Sequence, residues 1–202
     1  MTIAPHRFQI VLDTVAQMTI SERTVLYALI FGLRPQRTLE IGTCEGGSAL
    51  IIKAALDDIG SGALVCIDPR PVIAPQHWEQ LRSRTTLLEG CSPELLPKAR
   101  EVAGGPFDFA LIDGDHETPG LVRDIEGAME VLADGAYMIF HDAHYMGVAD
   151  GIELMLGKHR DRLTDCGFVS VEQTFEDRKV DGRQVIWGGL RLLRYTPPAD
   201  RR

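Results

Sequence analysis

One stretch, Thr38-Leu39-Glu40-Ile41-Gly42-Thr43-Cys44-Glu45-Gly46-Gly47-Ser48, constrains this chain more than any other. It is a short apolar run that stops in glycines and leads directly into a segment of helical periodicity over 47–59. Gly42, Gly46 and Gly47 carry no side chains to keep a ligand from the backbone, and the N–H groups that open a helix are free to bind one. A turn of this kind is built to hold a ligand.

The rest of the chain repeats the pattern of strand then helix, which predicts a parallel sheet covered on both faces. Strands are expected at 38–41, 63–67, 85–89, 107–112 and 136–140. Helices are expected at 47–59, at 75–83, from a Ser92 cap with Pro93 in the first turn, and from Thr118-Pro119 with Leu121, Ile125, Ala128, Met129 and Leu132 as its buried stripe. A helix over 148–166 follows, then two strands at 168–175 and 184–195 joined by a hairpin at Asp181-Gly182.

Ahead of the core, Phe8, Val11, Leu12 and Val15 have helical spacing, as do Val25, Leu26, Leu29 and Ile30 behind Ser21 as the N-cap. The predicted architecture is α/β, a doubly wound, mostly parallel seven-stranded sheet with a C-terminal antiparallel hairpin. A helical extension over 1–34, a core domain over 35–196 and a tail over 197–202 make up the chain. The extension is placed either against the sheet edge, over the mouth of a site, or at a homo-oligomer contact, and nothing local chooses among these.

With 202 residues and 45% hydrophobic content, the chain suffices for one buried core and is short for two domains. A net charge of -8 gives no surface suited to phosphate backbones, so nucleic acid is not expected as a partner. Cys44, Cys66, Cys91 and Cys166 form no C-x-x-C pair and read as reduced, mostly buried thiols. The N-terminus has no unbroken apolar region, so neither a signal peptide nor a membrane partner is expected, and the expected location is cytoplasmic.

Polar motifs fall at the carboxyl ends of the predicted strands, where ligands of open parallel sheets bind. They are Glu40 to Gly46, Asp68, Gly90-Cys91-Ser92, Asp113-Gly114-Asp115-His116 and His141-Asp142. The glycine spacing E-x-G-x-x-x-G-G differs from the G-x-G-x-x-G dinucleotide pattern, which disfavours a nicotinamide-dependent dehydrogenase. A carboxylate such as Asp68 after the second strand can accept both hydroxyls of a ribose.

In order and spacing these segments resemble the class I S-adenosylmethionine-dependent methyltransferases over roughly residues 35–195. They are similar in particular to the metal-dependent small-molecule O-methyltransferases, the catechol O-methyltransferase group, and to the bacterial branch acting on sugar hydroxyls of natural products. The resemblance implies S-adenosylmethionine as cofactor. It assigns Glu40 and the loop of Gly42, Thr43, Gly46 and Ser48 to the methionine moiety, Asp68 to the ribose, and Cys91 and Ser92 to the adenine, with Asp113 also counted among the cofactor-binding residues. It further implies Asp113, His141 and Asp142 as ligands of Mg2+ or another divalent ion, and His116 as the general base acting beside Asp113 on a small hydroxylated substrate.

The physical chemistry agrees, since a hydroxyl of high pKa needs a cation to stabilise its anion and a neutral imidazole to take its proton. His141 stands where that family has an acidic residue, and imidazole suits Mn2+, Fe2+ or Zn2+ better than Mg2+. Either the metal differs, or Asp113 and Asp142 suffice, or no metal is used and His116 works alone. Asp115 is a reserve ligand and His144 a second candidate base, while His77 and Trp78 fall where the family packs an aromatic near adenine. A non-catalytic nucleotide-binding module is the alternative from another class, against which the second polar cluster counts.

Overall fold

The structure, a computed structural model, describes residues 5–198. Residues 1–4 of the expected extension and 199–202 of the expected tail lie outside the described residues. Two helices, α1 (Pro5–Asp13) and α2 (Ile20–Leu33), precede the core. The core then alternates β1 (Arg37–Ile41), α3 (Gly47–Ile59), β2 (Ala63–Asp68), α4 (Pro75–Leu81), β3 (Thr85–Glu89), α5 (Leu96–Val102), β4 (Phe107–Ile112), α6 (Thr118–Val131), β5 (Leu132–Phe140) and α7 (Met146–Lys158). Four strands end it: β6 (Leu163–Ser170), β7 (Thr174–Val180), β8 (Arg183–Trp187) and β9 (Leu190–Tyr195).

Seven strands form one sheet in the order β3-β2-β1-β4-β5-β9-β6, with β9 antiparallel to both neighbours and the first five parallel. The expected doubly wound sheet is therefore present. The order reverses between β1 and β4, which opens a crevice at their carboxyl ends.

Because side chains alternate along a strand, each one feeds both faces. Leu39, Ile41, Val65, Ile67, Ala110 and Ile112 pack with α5, α6 and α7. Leu64, Cys66, Phe109, Leu111 and Ile139 pack on the other side with α2 and α3. Strands buried on both faces read as near-continuous apolar runs, which is why β1, β2 and β4 were legible.

Several expectations are corrected. The cap of α2 is Thr19, not Ser21, because Thr19 and Glu22 form a reciprocal capping box. Ser92 caps no helix; α5 begins at Leu96, after a turn. Val15 lies beyond α1 and is exposed, and Leu12 is 44% exposed, so of that stripe the helix buries Val11. Strand β5 starts at Leu132 and absorbs Asp134-Gly135 as an irregularity in its register with β4 rather than as a turn.

The helix expected over 148–166 ends at Lys158, because residues 163–170 pair with β9. The runs 168–175 and 184–195 each divide in two. Gly188 and Gly189, at φ 84° and 82°, break the second run. The Asp181-Gly182 turn thus closes a separate two-stranded sheet of β7 and β8, while β6 and β9 form the antiparallel end of the main sheet. Of the four cysteines only Cys66 is buried. No helix among the described residues is long and apolar enough to cross a membrane.

Candidate active site

The loop after β1 is held by its neighbours at the strand ends. Gly42 N–H donates to the Ile67 carbonyl, and Asp113 N–H to the Ile41 carbonyl. Gly42 sits at φ 86°, and a Cβ there would fall 2.0 Å from the Asp113 carbonyl oxygen, so only glycine lets the two strand ends approach. Gly46, also left-handed, caps α3 and faces Leu81 and Ile73.

Glu40 is fully buried beneath this loop. Its carboxylate accepts from Ser48 Oγ at 2.6 Å, Thr43 Oγ1 at 2.7 Å and Cys66 Sγ at 3.1 Å. Burial pushes its pKa up to about 7 in spite of these donors. Asp68 also serves the loop: one oxygen accepts the N–H groups of Thr43 and Cys44 at 2.9 and 2.8 Å, and the other that of Arg70 at 2.7 Å. Asp68 thereby shapes the loop as well as facing the space above it.

That space is a cavity of about 710 Å³ lined by Gly42, Thr43, Gly47, Ser48, Asp68, Cys91, Ser92, Asp113 and His116, among others. Glu40 and Gly46 shape its floor without lining it. Ala16 to Met18, between α1 and α2, form part of its rim, and a Cβ on Gly47 would meet Ala16 Cβ at 2.6 Å. The extension therefore lies over the mouth.

At the far end of the cavity four side chains converge from the ends of β4 and β5. His141 Nδ1 is 3.1 Å from Asp113 Oδ1 and 3.3 Å from Asp142 Oδ2. His116 Nε2 is 3.1 Å from Asp142 Oδ2 and 3.6 Å from Asp113 Oδ1. Asp142 occupies the left-handed region at φ 51°, and its second oxygen accepts Gly188 N–H at 2.6 Å.

The electrostatics are those of a tight cluster. Hydrogen bonding to Asp113 and Asp142 raises the His116 pKa to about 9 although burial opposes it. Burial works against charge on His141 too, yet Asp113, Asp142 and Glu22 hold it well above the usual imidazole value. Both aspartates overcome burial and stay below the ordinary carboxylate range because of the two rings.

Donor atoms of Asp113, His141 and Asp142 all lie within 4.8 Å of one another. Two carboxylates and an imidazole this close together are a donor set that fits a divalent cation. Asp115 is outside this group; its carboxylate accepts Glu117 N–H and lies 3.8 Å from Arg123. His144 is also elsewhere, stacked on Phe168 at 4.6 Å and lining neither cavity. His77 and Trp78 lie on α4 away from both cavities, with Trp78 packed into the core.

A second cavity, about 520 Å³, meets the first at Ala16, Gln17, Met18, His116, His141 and Asp142. Thr19, Glu22, Thr174, Trp187 and Gly188 complete its wall. Trp187 stacks on Tyr145 at 4.3 Å, and the His116 ring meets it edge-on at 5.7 Å.

Three of these residues had not been singled out from the sequence. Trp187 and Glu22 reach the site from distant segments, and Asp124 on α6 lines the first cavity with its pKa raised by burial to about 6. The only local signal was Thr19-x-x-Glu22, a capping-box spacing that says nothing of a second use.

No curated protein matches the chain in sequence. Among solved structures, an O-methyltransferase from Bacillus cereus in complex with S-adenosylhomocysteine is 19% identical, with a TM-score of 0.69 over 96% of this chain and 92% of that one. The O-methyltransferase TomG from Streptomyces achromogenes, in complex with S-adenosylmethionine, is 17% identical, with a TM-score of 0.66 over 97% and 92%. These likenesses establish the fold. A family model described as a methyltransferase domain matches residues 39–143, from β1 through the His141-Asp142 pair and more than half of the chain, so this protein belongs to the methyltransferase-domain family.

Proposed function

We propose that the protein is an S-adenosylmethionine-dependent O-methyltransferase that acts on a hydroxyl of a small molecule with the help of a divalent cation. The observation that carries this reading is the placement of His116, His141 and Asp142 at the junction of two cavities. One cavity is floored by the glycine loop, and the other has room for a compact acceptor beside Trp187.

S-adenosylmethionine supplies an electrophilic methyl group, and a divalent cation lowers the cost of negative charge on the acceptor oxygen. The chain's own residues do the rest. The glycine loop and Asp68 orient the cofactor, Asp113, His141 and Asp142 hold the cation, and His116, neutral once a cation offsets the charge of Asp113 and Asp142, accepts the acceptor's proton. Asp142 serves twice, holding the cation and orienting the His116 ring.

With an imidazole among the ligands the cation is Mg2+ or a softer ion such as Mn2+. A second reading, without metal, is favoured by one observation: His141 lies between Asp113, 3.1 Å from Nδ1, and Glu22, 3.6 Å from Nε2, and these carboxylates favour the charged ring, which would supply positive charge at this point. Calorimetric titration with S-adenosylhomocysteine, with chelator and then with Mg2+ or Mn2+, separates the two when followed by a methyl-transfer screen on catechols and sugars. Cofactor binding together with chelator-sensitive transfer is expected. Chelator-insensitive transfer selects the second reading, and absence of S-adenosylhomocysteine binding overturns both.

A further inference from the structure

Glu22 lies in the first turn of α2, within the extension, yet it is 1% exposed and both its oxygens are engaged deep in the molecule. Oε1 accepts Gly189 N–H at 2.7 Å, and Oε2 accepts Thr19 N–H at 2.8 Å. Oε2 also faces His141 Nε2 at 3.6 Å. That nitrogen is buried and has no hydrogen-bond partner within normal distance, while Nδ1 on the opposite side of the ring faces Asp113 and Asp142.

The partner of one imidazole nitrogen decides what the other can do. A carboxylate at Nε2 keeps a proton there, fixes the ring orientation and leaves the Nδ1 lone pair to bind a cation. We propose that Glu22 is a positioning residue for His141, so that the N-terminal extension supplies the outer support of the cation site. This inference rests on the cation reading above. A capping role alone explains the Thr19 contact, but it requires neither the approach to His141 nor the near-complete burial.

The test compares Glu22→Gln, which removes the negative charge beside His141 Nε2 and turns one of the two acceptor oxygens into a donor, with Thr19→Ala, which weakens the cap and leaves the carboxylate in place. Mn2+ affinity is read from the electron spin resonance of the free ion, S-adenosylhomocysteine affinity by calorimetry, and the His141 tautomer by 15N nuclear magnetic resonance. The expected result is Mn2+ binding about 10- to 100-fold weaker in Glu22→Gln, with S-adenosylhomocysteine binding retained. Thr19→Ala lowers the melting temperature and leaves Mn2+ affinity near that of the unmodified protein.

Equal Mn2+ binding in Glu22→Gln and the unmodified protein overturns the inference while the cation reading stands. If the unmodified protein takes up no Mn2+, the cation reading fails by itself and the ring signal decides. An Nε2 proton lost in Glu22→Gln supports the positioning role, and an unchanged tautomer overturns it. If Glu22→Gln does not fold, Glu22→Asp, one methylene shorter, is read in the same way.

Discussion

His116 and Asp142 are 26 positions apart in the chain and 3.1 Å apart between Nε2 and Oδ2. The Gly188 N–H at the other Asp142 oxygen fixes the carboxylate, and the carboxylate fixes the ring. The candidate base is thus oriented by a side chain that also belongs to the candidate cation site.

His116→Ala is expected to lower kcat by about two to four orders of magnitude, the usual contribution of a general base, with little change in S-adenosylhomocysteine affinity. In chelator-treated protein, nuclear magnetic resonance should find His116 titrating near 9, above the ordinary imidazole value of 6.5. The raised value means that the charged ring stabilises the fold fully below about pH 6.5, and that this contribution is lost as pH rises through about 9. A titration near 6.5 would refute the paired geometry.

Asp113→Ala and Asp142→Ala should each abolish the calorimetric heat of Mn2+ binding and reduce methyl transfer to background. The S-adenosylhomocysteine affinity of Asp113→Ala should stay within a few-fold of normal, because Asp113 reaches the glycine loop through its backbone, by the N–H to Ile41 and the carbonyl packed against Gly42. Normal transfer by Asp113→Ala would remove the cation site from the reaction.

Gly42→Ala and Gly60→Ala separate crowding from backbone strain. Both glycines have positive φ, at 86° and 82°, but a Cβ at Gly60 meets nothing within 4 Å. Denaturant unfolding should show Gly60→Ala destabilised by about 1 kcal/mol and Gly42→Ala by more, about 3 kcal/mol or above, with cofactor binding lost only in the latter. Equal losses would contradict the close approach of the two strand ends.

Glu40→Gln should flatten the dependence of stability on pH. Between the ordinary carboxyl value of 4.5 and about 7 the folded chain holds a proton on Glu40 that the unfolded chain has released. Stability from this group is therefore full below 4.5 and lost as pH rises through about 7. Melting temperatures at mildly acidic and mildly alkaline pH should differ less in Glu40→Gln than in the unmodified protein. An unchanged difference would mean that Glu40 is ionised throughout.

Much of the core was legible because its signals are local. Apolar runs ended by glycine or aspartate gave β1, β2 and β4, and helical stripes gave α3 and α6. The C-terminal region misled for the opposite reason. Residues 163–170 carry no strong period of their own, and their strand exists because β9 lies beside them. Likewise Asp134-Gly135 has the composition of a turn, but pairing with β4 carries β5 through it.

The alternating sheet, the glycine loop after the first strand, and the chemical types placed at the strand ends all follow from local sequence. Periodicity and turn chemistry act over a few residues, so they can be read without a partner. Tertiary contacts alone put Glu22 behind His141, Trp187 in the wall of the second cavity, His144 against Phe168, and one Asp68 oxygen on the N–H groups of the loop. These relations join segments distant in the chain, and packing and burial select them after the local elements have formed.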